Sequence, residues 1–103
     1  MKIRILRSAR RTIADGIRFY EAQDIGLGAY FLNSIMSDLR SLKIYAGIHQ
    51  KYDDHYYRMV CKRFPYSVFY QKVGSAVDVY AVLDDRRDPD FTREFLRKAG
   101  TGE

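Results

Sequence analysis

The alternation of apolar and polar positions predicts a strand followed by a helix at the start of the chain. Residues 2–7, KIRILR, alternate charged and apolar side chains with the period of a half-buried strand. Ser8 is a suitable N-cap for a helix that begins at Ala9 and ends near Asp24. Apolar side chains recur in this helix at three- and four-residue spacing, namely Ala9, Ile13, Ile17 and Tyr20.

A second helix is predicted from about Leu27 to Ile44, after a short turn that contains Gly26 and Gly28. Its inner stripe consists of Phe31, Ile35, Leu39 and Leu42. Because so short a link brings consecutive helices side by side, the pair should form an antiparallel hairpin. Residues 46–55 break the periodicity and are predicted to form a loop.

Three strands are predicted in the second half of the chain, over residues 56–64, 66–72 and 76–83. Pro65 separates the first two because proline cannot donate to a strand ladder. The third is the richest in β-branched residues and should be central, with Val77, Val79 and Ala81 facing the hairpin. Pro89 suits the first turn of a short C-terminal helix, and residues 98–103 should form a frayed tail.

These elements predict an α+β fold with the order β-α-α-β-β-β and a short C-terminal helix. The N-terminal strand would join a small, mainly antiparallel sheet, and the helical hairpin would cover one face of it. A length of 103 residues fits a single domain that spans residues 1–103. A hydrophobic content of 47% supports a real core and argues against a disordered binding segment.

Positive charge gathers where the predicted strands end. The formal net charge is +5, and Arg outnumbers Lys by twelve to six. Arg favours planar, bidentate contacts with carboxylates and phosphates. The cluster should therefore meet either a phosphate backbone or an acidic protein. The residues expected to bind the target or partner are Arg58, Lys62, Arg63, Tyr66, Arg86 and Arg87.

The cysteine content and the N-terminal pattern both favour a cytoplasmic protein. Cys61 cannot form an intramolecular disulfide because it is the single cysteine, and it is expected to be buried and inert. The N-terminal segment has no continuous apolar stretch, so neither a signal peptide nor a membrane span is expected.

The remaining candidates for chemistry have ordinary structural interpretations. His49 and His55 are expected to be exposed loop residues. Asp53, Asp54 and His55 would point in alternating directions on an extended chain, so we expect no metal site and no cofactor. The carboxylates near the end of the last strand should pair with Arg86 or Arg87 or cap the final helix; they are Asp84, Asp85 and Asp88.

Three segments together resemble the RelE/ParE superfamily, the toxins of bacterial type II toxin–antitoxin systems. They are the Leu27-Gly28 turn of the hairpin, the RFPY segment at residues 63–66, and AVLDDRRDP at residues 81–89. The resemblance implies a small cytosolic toxin that a cognate antitoxin neutralises, in a possible hetero-oligomer. ParE-like members poison DNA gyrase, whereas RelE-like members cut mRNA in the ribosome.

The chemistry of RNA cleavage separates these two branches. Attack by a 2′-hydroxyl needs groups that accept and donate protons beside cations that hold the phosphate. No His or Tyr follows Pro89, a region where many ribonuclease members carry one, so the ParE-like branch is favoured. In the alternative, a RelE-like ribosome-dependent mRNA endonuclease, the phosphate clamps would be Arg58, Arg63 and Arg86. A third interpretation is an inactive relative that only binds antitoxin.

Overall fold

The structure, a computed structural model, describes residues 1–102 as three helices and five strands in an α+β arrangement. In chain order these are β1 (Lys2–Ile5), α1 (Arg7–Gln23), α2 (Leu27–Tyr45), β2 (Gln50–Tyr52), β3 (Tyr56–Val60), β4 (Tyr66–Val73), β5 (Ala76–Asp84) and α3 (Pro89–Gly102). The strands form one sheet in the order β1-β5-β4-β3-β2. Only the β1–β5 pair is parallel among these strands, which confirms a mainly antiparallel sheet.

The helical hairpin covers one face of the sheet, and its predicted inner stripe is confirmed. Phe31, Ile35, Leu39 and Leu42 of α2 are buried against the sheet, each at most 2% exposed. The two helices approach closely at Gly16, where an added Cβ would lie 2.6 Å from the Phe31 ring. Only glycine fits between the helices at this point.

The first helix begins two residues earlier than expected, so its N-cap is not Ser8. Leu6 is the N-cap residue and makes no side-chain capping bond, whereas Ser8 lies inside α1. The Ser8 hydroxyl donates a 2.6 Å hydrogen bond to the carbonyl oxygen of Tyr80 and is buried. The prediction of an N-cap was wrong because Ser8 satisfies its hydroxyl across the fold, tying α1 to β5.

The segment predicted to be a loop over residues 46–55 contains the edge strand β2. Gln50, Lys51 and Tyr52 pair antiparallel with β3. Three residues are too few to show a periodic pattern, so their pairing is dictated by the neighbouring strand. The predicted strand over residues 56–64 is also shorter than expected, since β3 ends at Val60 and a turn leads to β4.

A bulge in β5 reverses the side that its later residues face. Tyr70 pairs with Val79 and Phe69 pairs with Ala81, so Tyr80 has no partner in β4. One extra residue moves every following side chain to the other face. Val77 and Val79 therefore pack under the hairpin as predicted, whereas Ala81 packs on the opposite side with α3.

The C-terminal helix covers the second face of the sheet and extends further than expected. Leu96 and Ala99 are buried, and the Tyr56 hydroxyl donates to the carbonyl oxygen of Leu96 at 2.9 Å. The prediction of a frayed tail from residue 98 was wrong for residues 98–102, because α3 continues to Gly102 and Ala99 is buried. Glu103 lies outside the described residues. Among the helices described, none is long and apolar enough to cross a membrane.

Candidate target-binding site

Arg58 lies on β3 and is held in place by a buried serine and a carboxylate. Its Nε donates to Oγ of Ser67 at 3.0 Å, and its Nη2 donates to Oδ1 of Asp85 at 3.0 Å. The Ser67 hydroxyl donates to the same carboxylate oxygen at 2.6 Å and is completely buried. Each of the three side chains contacts the other two, so the Arg58 guanidinium has a fixed position.

Arg86 forms a separate ion pair at the end of β5. Its Nε and Nη2 donate to the two carboxylate oxygens of Asp84 at 2.9 and 2.7 Å, and its backbone N–H donates to Oδ1 at 2.8 Å. These hydrogen bonds hold the pKa of Asp84 below its ordinary value. The expected pairing of Asp84 with Arg86 is confirmed.

The two ion pairs lie on opposite faces of the sheet. Asp84 is the strand partner of Tyr66, which faces the helical hairpin, and Arg86 lies beside Tyr20 of α1. Arg58 is the strand partner of Phe69, which faces α3. Asp85 was expected to pair with Arg86 or Arg87, but it turns to the α3 side and pairs with Arg58. The guanidiniums of Arg58 and Arg86 therefore do not converge on one point.

The other predicted cations are exposed near the same end of the sheet. Lys62 and Arg63 occupy the turn between β3 and β4, and within residues 1–102 no ion pair joins their side chains to an acid. Arg87 lies over the ring of Phe91, with its guanidinium carbon 4.0 Å from the ring centroid. This cation–π contact orients Arg87 along the start of α3.

Tyr66 belongs to the core and not to the exposed surface. Its ring packs 4.9 Å from Phe31 and 6.2 Å from Tyr20, between ring centroids, and the residue is 7% exposed. Burial raises the pKa of the Tyr66 phenol to about 12. The Tyr66 ring is therefore not available to a partner, while its carbonyl oxygen accepts from the backbone N–H of Cys61 at 2.8 Å and closes the turn that carries Lys62 and Arg63.

Two of the concavities that border the cation cluster are lined by Arg58. A cleft of about 160 Å³ on the α3 side brings Arg58 and Arg87 together with Tyr52. A larger groove of about 650 Å³ runs between α2 and the β2–β3 edge; its lining includes Asp38, Ser41, Tyr45, Ile48, His49, Lys51, Arg58, Met59, Val60 and Lys62. We call this larger concavity the edge groove. Strand β2 reaches only as far as the Gln50–Arg58 pair, so the backbone of β3 beyond it faces the groove.

The edge groove also contains a histidine that was expected to be an exposed loop residue. His49 is half-buried, and its Nδ1 lies 2.5 Å from the hydroxyl of Tyr70. Burial lowers the pKa of His49. Its neutral imidazole thus lies in the same groove as Arg58 and Lys51.

The remaining candidates occupy structural positions. Burial raises the pKa of the Cys61 thiol, which suits the expected inert cysteine. Asp88 caps α3, since its Oδ1 accepts from the backbone N–H of Asp90 at 2.8 Å. His55 is exposed at the turn between β2 and β3. Within the described part of the chain, no three His, Cys, Asp or Glu side chains come together as a metal-binding group.

Two polar residues at core positions also belong to the site, although the sequence prediction did not include them. Ser67 interrupts the apolar run at the start of β4, and Asp38 falls on the inner stripe of α2 between Ile35 and Leu42. Both residues are buried. The Ser67 hydroxyl accepts a hydrogen bond from Arg58 and donates one to Asp85. A carboxylate oxygen of Asp38 accepts from the backbone N–H of Lys62 at 3.4 Å. A polar residue in an apolar stripe indicates a buried partner of this kind.

Comparison with known proteins identifies a structural likeness. No protein-family model and no curated protein matches the chain. A chain of the solved structure described as the chromosomal ParDE TA system from P. aeruginosa superposes with a TM-score of 0.67. The two chains share a fold. Their sequences are 14% identical, and the match covers 80% of this chain and 92% of that chain.

Proposed function

We propose that this protein is the toxin of a type II toxin–antitoxin system, of the ParE-like kind, and that it acts in the cytoplasm. In this proposal it inhibits growth by binding DNA gyrase, and a cognate antitoxin neutralises it. Two independent features support the proposal. The fold is that of a chain in the ParDE structure, and the RFPY and AVLDDRRDP segments resemble RelE/ParE toxins.

The separation of Arg58 and Arg86 carries the choice of a binding mechanism over RNA cleavage. In the expected clamp of Arg58, Arg63 and Arg86, cleavage of a phosphodiester would need these cations to converge on one phosphate. Here Asp85 and Asp84 hold the two guanidiniums on opposite faces of the sheet. Fixed cations that alternate with acids present a patterned surface, which suits recognition of a protein.

The surface that would contact gyrase consists of the exposed cations Lys62, Arg63, Arg86 and Arg87. Arg58 and Tyr66 belong to the same site as supports. Arg58 fixes the start of the turn after β5 through Asp85, and the Tyr66 carbonyl oxygen closes the Lys62–Arg63 turn by accepting from the backbone N–H of Cys61. The rigid positions of these groups reduce the entropy lost on binding.

Binding of the purified protein to gyrase, measured by calorimetry, tests this surface. The double variant Lys62→Glu/Arg63→Glu should weaken binding by roughly tenfold or more, because both charges are exposed and unpaired within the described residues. Arg93→Glu/Arg97→Glu on α3 is the matched control and should change affinity by less than about twofold. Equal effects of both variants, or no binding by the unsubstituted protein, would contradict the proposal.

The alternative function, ribosome-dependent mRNA cleavage, is favoured by one observation. The 160 Å³ cleft places Arg58 and Arg87 beside Tyr52, which supplies a phenol next to two cations. This grouping differs from the expected clamp of Arg58, Arg63 and Arg86. Codon-phased cuts in ribosome-bound mRNA that are lost in both Arg58→Ala and Tyr52→Phe would establish this alternative.

The edge groove is the proposed docking surface for the antitoxin. Ile48 and Val60 are 72% and 59% exposed there, and Lys51 and Lys62 flank them. An amphipathic segment with acidic side chains matches this combination, and the free backbone of β3 allows an added strand. Ile48→Glu should weaken co-purification with the antitoxin, whereas Ile25→Glu, at the exposed α1–α2 turn, should not. Full co-purification of Ile48→Glu would contradict this placement.

A further inference from the structure

The net positive charge of this protein comes entirely from the first 14 residues. Five of the eighteen Lys and Arg residues lie there, and no acid precedes Asp15. Over residues 15–103, the remaining thirteen cations are balanced by all thirteen acids. Asp85 and Asp84 neutralise Arg58 and Arg86 by ion pairing, whereas the first 14 residues contain no acid of their own.

The fold gathers these five cations along one margin of the molecule, which we call the basic edge: Lys2, Arg4, Arg7, Arg10 and Arg11. Strand β1 is the edge strand of the sheet, and α1 starts two residues after it. Arg10 reaches back and donates to the carbonyl oxygen of Ile5 at 2.8 Å, so the first turn of α1 is bound to the end of β1. Arg11 lies beside Lys98 of α3, across a small cleft, which adds a sixth cation.

Two cations of the basic edge, Lys2 and Arg7, are available to a partner. Arg4 is paired with Asp78 at 2.5 Å, but Lys2 and Arg7 are exposed, and within residues 1–102 no ion pair joins them to an acid. Unpaired cations at one margin produce a directed positive field. A cluster that contains four Arg residues also favours phosphate oxygens, which accept bidentate hydrogen bonds from guanidinium.

We propose that the basic edge binds the phosphate backbone of duplex DNA without sequence preference. Residues 2–14 contain no aromatic side chain, and the two aromatic residues next to the basic edge, Tyr80 and Phe95, are partly buried. Single-strand binding sites rely on exposed aromatic rings that stack with bases, so this surface favours the backbone of a duplex. The surface is separate from Lys62, Arg63, Arg86 and Arg87, so it does not depend on gyrase being the target.

Fluorescence anisotropy with labelled duplex DNA of about 20 base pairs tests the proposal, at salt concentrations between about 50 and 200 mM. We expect equal affinity for two unrelated sequences and an affinity that falls steeply with salt. Lys2→Gln/Arg7→Gln should reduce the slope of log Kd against log salt by about 2, that is by about one for each phosphate contact. The control Arg40→Gln/Lys43→Gln removes the same charge from exposed positions on α2 and should leave the slope within about 0.5 of the original.

Three results would overturn the proposal. The first is no duplex binding at the lowest salt concentration. The second is an equal loss in both double variants, which would assign the binding to net charge alone. The third is that single-stranded DNA of the same length, or poly-glutamate, binds more tightly than the duplex and that Lys2→Gln/Arg7→Gln weakens this binding. That result would assign the basic edge to a single strand or to an acidic protein.

Discussion

The Tyr70 hydroxyl lies 2.5 Å from Nδ1 of His49, and this contact ties the segment before β2 to the buried strand β4. The backbone N–H of Gly47 donates to the same hydroxyl at 2.9 Å. Burial raises the pKa of the Tyr70 phenol and lowers the pKa of His49, so it disfavours the charged form of both groups.

The first prediction is that stability falls with acidification because of His49. Burial lowers its pKa in the folded protein below the ordinary value of 6.5. The unfolded chain takes up a proton first as the pH falls, so the stabilisation is complete above about pH 6.5 and is lost as pH falls through the folded-state value. Urea unfolding between pH 8 and 5 measures it. His49→Gln should flatten this dependence and His55→Gln should not; an unchanged profile in His49→Gln would refute the assignment.

The second prediction concerns the core under the hairpin. Leu39 is 2% exposed, and Leu39→Ala should destabilise the protein by about 2–5 kcal/mol because it leaves a cavity between α2 and the sheet. Ile44→Ala on the same helix removes a side chain that is 79% exposed and should cost less than about 0.5 kcal/mol. Denaturant midpoints compare the two variants. A similar cost for both would mean that α2 presents another face to the sheet.

The third prediction concerns the docking of α3. A Cβ added at Gly100 would lie 2.9 Å from the Tyr56 hydroxyl, which is itself bonded to the Leu96 carbonyl. Gly100→Ala should therefore loosen α3, despite the higher helix propensity of alanine. The same substitution in a Tyr56→Phe background should stabilise α3, because the obstructing oxygen is absent. Amide hydrogen exchange in α3 shows whether Gly100→Ala stabilises or destabilises the helix. An effect of the same sign in both backgrounds would contradict a clash with the Tyr56 hydroxyl.

The fourth prediction concerns the Arg58–Asp85–Ser67 group. Asp85→Ala removes the acceptor of both Arg58 and the buried Ser67 hydroxyl, and should cost about 1–3 kcal/mol. Asp15→Ala breaks a pair with Arg18 in which both side chains are about 70% exposed, and should cost less than about 0.5 kcal/mol. Thermal unfolding of the two variants compares them. A cost for Asp85→Ala no larger than for Asp15→Ala would show that the group does not stabilise the fold.

The helices and the longer strands could be predicted because their patterns are local. The stripe of Phe31, Ile35, Leu39 and Leu42 repeats over several turns, and the packing of each residue follows from its spacing. The Asp84–Arg86 and Asp88–Asp90 contacts were also accessible, since each spans two residues.

The features that sequence could not supply depend on distant partners. Asp85 meets Arg58 across 27 positions, and its direction follows from the register of β4 with β5. The bulge at Tyr80 turns the Ala81 side chain to the other face of the sheet, but the apolar pattern of the sequence does not reveal the bulge. His49 is half-buried and contacts Tyr70, 21 positions away. The edge groove is created by the early end of β2, which three residues of sequence cannot indicate.

The most direct test of the proposed mechanism is a DNA gyrase supercoiling assay with the purified protein, run beside a ribosome-programmed mRNA cleavage assay. The account predicts that supercoiling is inhibited and that the mRNA stays intact. Inhibition should weaken in Lys62→Glu/Arg63→Glu and persist in Arg93→Glu/Arg97→Glu, which changes charges of the same type elsewhere on the surface. Intact supercoiling together with codon-phased mRNA cuts that disappear in Arg58→Ala would contradict the account.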